Sequence, residues 1–303
     1  MKLNLNQMKQ LLNNDSGEDN FISGKIKFFD KEHNKYELIS IKEGFKGVIT
    51  KIQSLHNLIL VTEGSKINIY IFNPENFTMS IHKYIENKNL AISNWNTNNK
   101  LLLTGDIIDS FNFMYMRYNS SNQIEIVVDT KDNNQIKVTT CILWTIHNKK
   151  CCIVFDEDNN GYIFFLSENT STRICDFHIN KIINEIRHVS FKNDEYYSYY
   201  YSSLNGSVGF FNHIDNDIYE KLNYLCEFIY YHFPFNSGVN PKLFYSLSFG
   251  NNSGFQKPQG RFIDFNILDI FLKLSEKFQD IICNNILGMD KNDIIKNIYD
   301  LIE

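Results

Sequence analysis

The chain has 303 residues, a net charge of −5 with acidic and basic residues well mixed, and 15% aromatic residues against only four prolines. That is a folded composition with ample apolar material for a core, despite its abundant Asn. It has no Lys/Arg block marking an autonomous nucleic-acid surface, and no apolar run of the ~18–20 residues that a membrane span needs.

Residues 1–20 are polar and Asn-rich, a loose lead-in with room for a short helix over Leu5–Leu12. Organised sequence begins at Ser23–Phe29, a strand signal, and a second strand follows over Tyr36–Ile41. Val48–Gln53, Leu58–Thr62 and Lys66–Phe72 then read as strands of period two. In the last, Ile67, Ile69 and Ile71 face one way while Asn68, Tyr70 and Phe72 face the other. Turns at His56-Asn57 and Glu63-Gly64-Ser65 separate them, and Asn73-Pro74 ends the run.

The next set is Leu90–Trp95, Leu101–Thr104, Phe111–Arg117 and Gln123–Val128. Another follows with Val138–Ile146, Cys151–Phe155, Tyr162–Leu166 and Arg173–His178. His188–Phe191, Tyr196–Ser202 and Ser207–Asn212 form the last. Short strands in sets, one set every ~40–50 residues, are the cadence of a β-propeller with one blade per set. About four blades are expected over residues 21–213, some incomplete, as the C-terminal part of a larger propeller. A propeller hides its blade edges by closing, so the rest of the ring is expected from elsewhere.

From Asp215 the period changes to 3.6. Ile218, Leu222, Leu225, Ile229 and His232 fall on one face of a helix, with Asp217 and Glu220 as a capping-box-like start and Phe233-Pro234 as its stop. Asp264 is placed to cap a helix carrying Ile267, Leu268, Phe271 and Leu274. Ser275 is placed to cap another through Ile286, with Gly288 at its C′ position. Asp290 with Asp293 opens the last. Residues 214–303 read as a helical domain, so the fold expected is mainly β, a partial WD40-like propeller followed by a small helical domain.

The chemistry-bearing residues read as structural. Cys141, Cys151, Cys152, Cys175, Cys226 and Cys283 lie on apolar faces without paired spacing and are expected to be reduced core thiols. Cys175-Asp-Phe-His178 is half a metal site with no second half nearby. Asp156–Gly161 matches the first half of a calcium-binding EF-hand loop, but position twelve is Ser167 and both flanks are strands, so a polar β-turn is expected. His147, His178, His188 and His232 stand without a nucleophile elbow, a zinc-protease motif or a P-loop. Asp106 and Asp109 sit at a turn. Gly24, Gly47, Gly64, Gly105, Gly161 and Gly206 are assigned to turns between strands. No enzyme, cofactor or metal is expected.

In order and spacing, these residues resemble the CPSF A family. The likeness runs through Ser23–Phe29, Lys46-Gly47-Val48-Ile49, Glu63–Tyr70 and Leu101–Ser110 with Gly105 and Asp106. It continues through Asp158–Phe165, Asp176–His178, Leu204–Gly209 with Gly206 and Gly209, and Phe262-Ile263-Asp264. Its members serve in mRNA polyadenylation, in splicing, and as an adaptor of a cullin ubiquitin ligase. Phe235–Phe244, with Gly238, Asn240, Pro241 and Phe244, is similar to the Ala-Gly-Leu-Asn-Pro-Arg-x-Phe stretch of the polyadenylation branch.

The resemblance implies a nuclear, non-enzymatic scaffold of pre-mRNA 3′-end processing. It would bind the other subunits of that machinery, with only weak RNA binding of its own and no membrane. The alternatives it leaves are the ubiquitin-ligase adaptor and the splicing scaffold. One departure stands out: the family's Ile-Asp-Gly-Asp/Glu-Leu becomes Ile263-Asp264-Phe265-Asn266-Ile267, so Phe265 must pack or protrude. The family's longer members carry three propellers, and this chain is expected to match the end of the third with the helical domain.

Overall fold

A computed structural model describes residues 24–301 except 33–34, 46–48, 56–57, 74, 77, 87–91, 99–100, 119–123, 133–134, 147–148, 168, 191–196 and 234–259. The chain forms two compact units, Met1–Glu86 and Asn87–Glu303. It is mostly β, in propeller-like four-stranded meanders, with helices at its C-terminal end.

The first unit opens with a two-stranded ribbon, β1 (Gly24–Glu32) and β2 (Lys35–Phe45). A four-stranded antiparallel sheet follows: β3 (Ile52–Leu55), β4 (Leu58–Glu63), β5 (Lys66–Asn73) and β6 (Thr78–Glu86). Tyr70 and Phe72 share a face with Val61 and Met79 and pack against Ile26 and Phe45 of the ribbon. On the opposite face Ile67 and Ile69 are fully buried, whereas Ile71 is exposed. β6 escapes a reading by period because its apolar residues slip from positions 79 and 81 to 84 and 85, and its pairing with β5 carries an irregularity between Ile69 and Tyr70. A bulge of this kind breaks the two-residue alternation.

Among the described residues the second unit holds three successive sheets. β7 (Ile92–Asn98), β8 (Leu101–Asp106), β9 (Ser110–Tyr118) and β10 (Ile124–Lys131) form one. β11 (Val138–Ile146), β12 (Lys149–Asp156), β13 (Asn160–Ser167) and β14 (Thr170–His178) form the next. The third has β15 (Ile183–Ser190), β16 (Tyr197–Ser203) and β17 (Val208–Asn212). The first strands converge, β11 lying against β7, β8 and β15, while β10 approaches β14 at the outside. That is the geometry of adjacent propeller blades.

The middle sheet is covered on both faces, which explains its unbroken apolar runs. Cys141, Leu143, Cys152 and Val154 pack against Leu103, Phe111 and Phe113 of the sheet before it. Ile142, Ile153, Phe155 and Phe177 pack against Ile183, Ile186 and Tyr199 of the sheet after it.

Among the described residues four helical pieces follow: α1 (Asn216–His232), α2 (Phe265–Leu272), α3 (Glu276–Asp280), running into a π-helical turn over Ile281–Leu287, and α4 (Lys291–Asp300). α1 packs on α2 and α4 through Leu222, Leu225, Cys226 and Ile229, which meet Ile267, Leu268, Phe271, Ile294 and Ile298. The expected start of α1 is corrected. Asp215 occupies the N-cap without a side-chain bond, and the Asn216 side-chain amide donates to the Glu220 carboxylate instead of a box closing through Asp217. His232 faces solvent, its ring against Phe228.

Ser275 stands at the N-cap of α3 but makes no side-chain cap bond. The single helix expected through Ile286 becomes α3 plus the π turn, which Gly288 closes in the left-handed conformation at φ 65°. Asp264 and Asp290 cap as expected, accepting from the amides of Asn266 and of Asn292 and Asp293. Among the described residues no helix is long and apolar enough to cross a membrane.

Candidate interaction surface

Three blade hairpins share one construction. The second strand ends and the third begins four residues later at Asp106/Ser110 and Asp156/Asn160, and five residues later at Ser203/Val208. Antiparallel succession puts all three turns at the same end of the blades. Asp106 accepts from the amides of Ile108 and Asp109. Asp156 accepts from the amides of Asp158 and Asn160, the Asn160 side chain and the Tyr162 hydroxyl, at 2.8–3.0 Å.

Four donors thus occupy the carboxylate that the calcium reading needed, and the loop is a polar β-turn with Asn159 at φ 68°. Burial outweighs those hydrogen bonds and pushes the Asp156 carboxyl above the usual carboxylate range. Ser203 and Ser207 replace the carboxylate in the third hairpin by hydroxyl–hydroxyl and hydroxyl–carbonyl bonds, with Gly206 at φ 85°.

A latch closes the turn end of two of these blades. The Ser110 hydroxyl donates to Asp132, just past β10, at 2.6 Å. Asn160 meets the His178 ring at the end of β14 at 3.0 Å, and the other ring nitrogen meets Asn180 at 2.8 Å. His178 is therefore a structural residue. His188 is exposed with its ring tilted against Tyr199, and His147 lies outside the described residues. All six cysteines are buried. Burial raises the Cys152 thiol and pushes Cys175 up to about 12, so neither is a ready nucleophile.

Two glycines assigned to turns belong to strands, because close packing and not chain reversal requires them. A Cβ on Gly105, inside β8, would fall 3.0 Å from the Val138 Cβ and closer still to one of its methyls, so this glycine lets β8 approach β11. Gly161, inside β13, lies against the rings of Phe155 and Phe177. Gly24 likewise opens β1. Gly209 lies opposite Tyr201, whose ring covers it. Gly64 is a true turn glycine at φ 62°. Gly47, Gly238, Asn240, Pro241 and Phe244 lie outside the described residues, as does the lead-in over residues 1–20.

The remaining diagnostic residues form a strap between blades and helices. Gly260, at φ 91°, runs so close to β14 that a side chain there would meet the Cys175 Cα at 2.8 Å. The Cys175 thiol lies 3.9 Å from the Arg261 carbonyl, and the Arg261 guanidinium sits 5.4 Å over the Tyr219 ring of α1. Phe262 stacks on Phe177 at 4.9 Å and 7°. Phe177 in turn contacts Phe155 and Phe211, which links two blades to the strap.

Ile263 turns to the helical core, and so does Phe265, which packs there where the family has glycine. Asp264 caps α2, its carboxyl raised by burial despite the bonds from Asn266. Asn212, at the end of β17, donates to the Leu301 carbonyl beyond α4 at 2.7 Å.

Over residues 11–273 the sequence matches the family model of the CPSF A subunit region. The chain belongs to the CPSF A family. No curated protein matches the chain. The matched span contains every blade and the strap, and Phe262-Ile263-Asp264 of the family pattern is the segment that ties blades to helices. Membership supports a scaffold-type role built on protein interaction.

Proposed function

We propose that this chain is a non-enzymatic scaffold of the nuclear pre-mRNA cleavage and polyadenylation machinery, holding partner subunits rather than performing chemistry. The observation that carries the reading is the CPSF A match across blades and strap, together with side chains whose polar groups are spent on structure. Asp156, His178 and Asp264 are tied into turns, latches and caps, and the cysteines are buried. Blades joined to helices by a stacked aromatic cluster present loop-rich ends and a rigid frame, a suitable build for binding several partners.

The choice of the polyadenylation branch rests on the likeness of Phe235–Phe244. RNA binding by the chain alone is weak in this reading, since its charge is balanced. A titration with single-stranded RNA checks that: submicromolar affinity at physiological salt with a steep salt slope would contradict it. The functional role is tested by immunodepleting the protein from nuclear extract. Cleavage at a polyadenylation site should fall and return when the purified complex is restored. Unchanged cleavage after complete depletion would refute the role.

A further inference from the structure

The sequence holds two Asn-Gly pairs, Asn160-Gly161 and Asn205-Gly206. In such a pair the glycine nitrogen can close on the asparagine side chain, because no Cβ obstructs it and the glycine backbone turns freely. The fold treats the two pairs oppositely. Asn160 is fully buried, its side-chain amide donates to Asp156 at 2.9 Å, and its side-chain oxygen meets the His178 ring. Gly161 is held in β13 between β12 and β14, with the Phe155 and Phe177 rings against it. Neither residue of that pair has room to turn.

Asn205 and Gly206 lie exposed at the tip of the β16–β17 hairpin. Gly206 stands at φ 85° with open space where a side chain would be, so its peptide rotates at little steric cost. The Asn205 side-chain oxygen accepts from the Ser207 hydroxyl at 2.8 Å and from the Ser207 amide at 3.2 Å, and the Ser203 hydroxyl lies 2.5 Å from it. Donors so placed draw charge from the side-chain carbonyl carbon and hold the negative charge that attack would put on its oxygen. The Gly206 amide donates to the Ser203 carbonyl at 3.0 Å. Freeing it costs one hydrogen bond at an exposed turn, where water replaces the partner.

We propose that Asn205 is a site of spontaneous self-modification, converted to aspartate and isoaspartate in the folded chain with Ser207 holding the developing charge. The Gly206 nitrogen bonds to the Asn205 Cγ, the Cγ–Nδ2 bond breaks, and ammonia leaves with the proton from the Gly206 nitrogen. Water then opens the succinimide ring at either of its carbonyls. Opening at one gives aspartate. Opening at the other gives isoaspartate, whose main chain carries one extra methylene. Either product adds a negative charge to the hairpin tip of the last blade, and the isoaspartyl form also lengthens the chain between Ser203 and Ser207, whose bonds close that turn. The site does not depend on which complex the scaffold serves.

The test holds the full chain at mildly alkaline pH and body temperature and follows its peptides by mass spectrometry, with isoaspartate counted by an isoaspartyl methyltransferase. The acid form should accumulate at residue 205 and not at residue 160. In urea, where the fold no longer shields Asn160, both residues should react. Ser207→Ala should slow the reaction of the folded chain about tenfold, less than a buried oxyanion donor supplies because water reaches this turn. The same variant should react at the native rate in urea. Three results would overturn the proposal: an unmodified Asn205 in the folded chain while the unfolded chain reacts, equal modification of Asn160 and Asn205 in the folded chain, or a folded Ser207→Ala chain that reacts as fast as the native one or faster. None of them would alter the depletion result.

Discussion

At Gly105 a single methyl group is enough to test the packing of the blades. Gly105→Ala drives a Cβ into Val138, and well-packed cores lose about 1–3 kcal/mol to such overpacking. Urea unfolding should show that loss, and Val138→Ala in the same chain should recover part of it, a coupling measured by the double-mutant cycle. Asp156→Ala would strip the acceptor from four donors and should destabilise by about 2–4 kcal/mol. Added calcium should leave the melting temperature of the native chain unchanged, because the carboxylate is already committed to Asp158, Asn160 and Tyr162.

Asp264 gives the sign of a pH effect. Its carboxyl is raised by burial in the folded chain, so the folded state holds the proton more firmly than the unfolded one. The stability it contributes is present below the unfolded value of about 4 and is lost as pH rises through the raised one. Asp264→Asn keeps a competent cap. Comparing urea unfolding at pH 4 and pH 7, the variant should lose less stability than the native chain as pH rises. An equal pH dependence would show that the carboxyl is not buried as described.

Among the elements, the Gly260–Asp264 strap decides whether blades and helices behave as one body. Phe262→Ala removes the stack on Phe177 and should cost about 2–3 kcal/mol, between an aromatic pair and a fully buried ring. Hydrogen exchange in the variant should accelerate in α1 and α2 more than in β11–β13. Equal acceleration everywhere would mean that the strap does not couple the two parts.

The strap's parts were partly legible in the sequence. Asp264 announces itself by its spacing from Ile267 and Leu268, but nothing local tells that Phe262 turns to the blades while Ile263 turns to the helices. That division depends on a β14 ring more than eighty residues away. The same holds for Gly105 and Gly161, where glycine between apolar residues reads as a turn and only the neighbouring strand shows why no side chain fits. β6 was missed because its bulge breaks the alternation, whereas β12 and β13 stand out because both of their faces are covered. Asp217 with Glu220 illustrates the opposite error, a capping pattern one position inside a helix that starts without one.

At the scale of the whole molecule, the cadence of turns and strands carries the blade count, and the change of period at Asp215 marks the helices. Long-range order from Ser23 to Asp264 carries the family. What the scaffold holds is a question of surface, and surface residues follow no period. The most direct measurement is affinity purification of the tagged chain from nuclear extract, with mass spectrometry of what it retains. Subunits of the cleavage and polyadenylation machinery should dominate. Recovery of a cullin and its ligase components in their place would contradict the account.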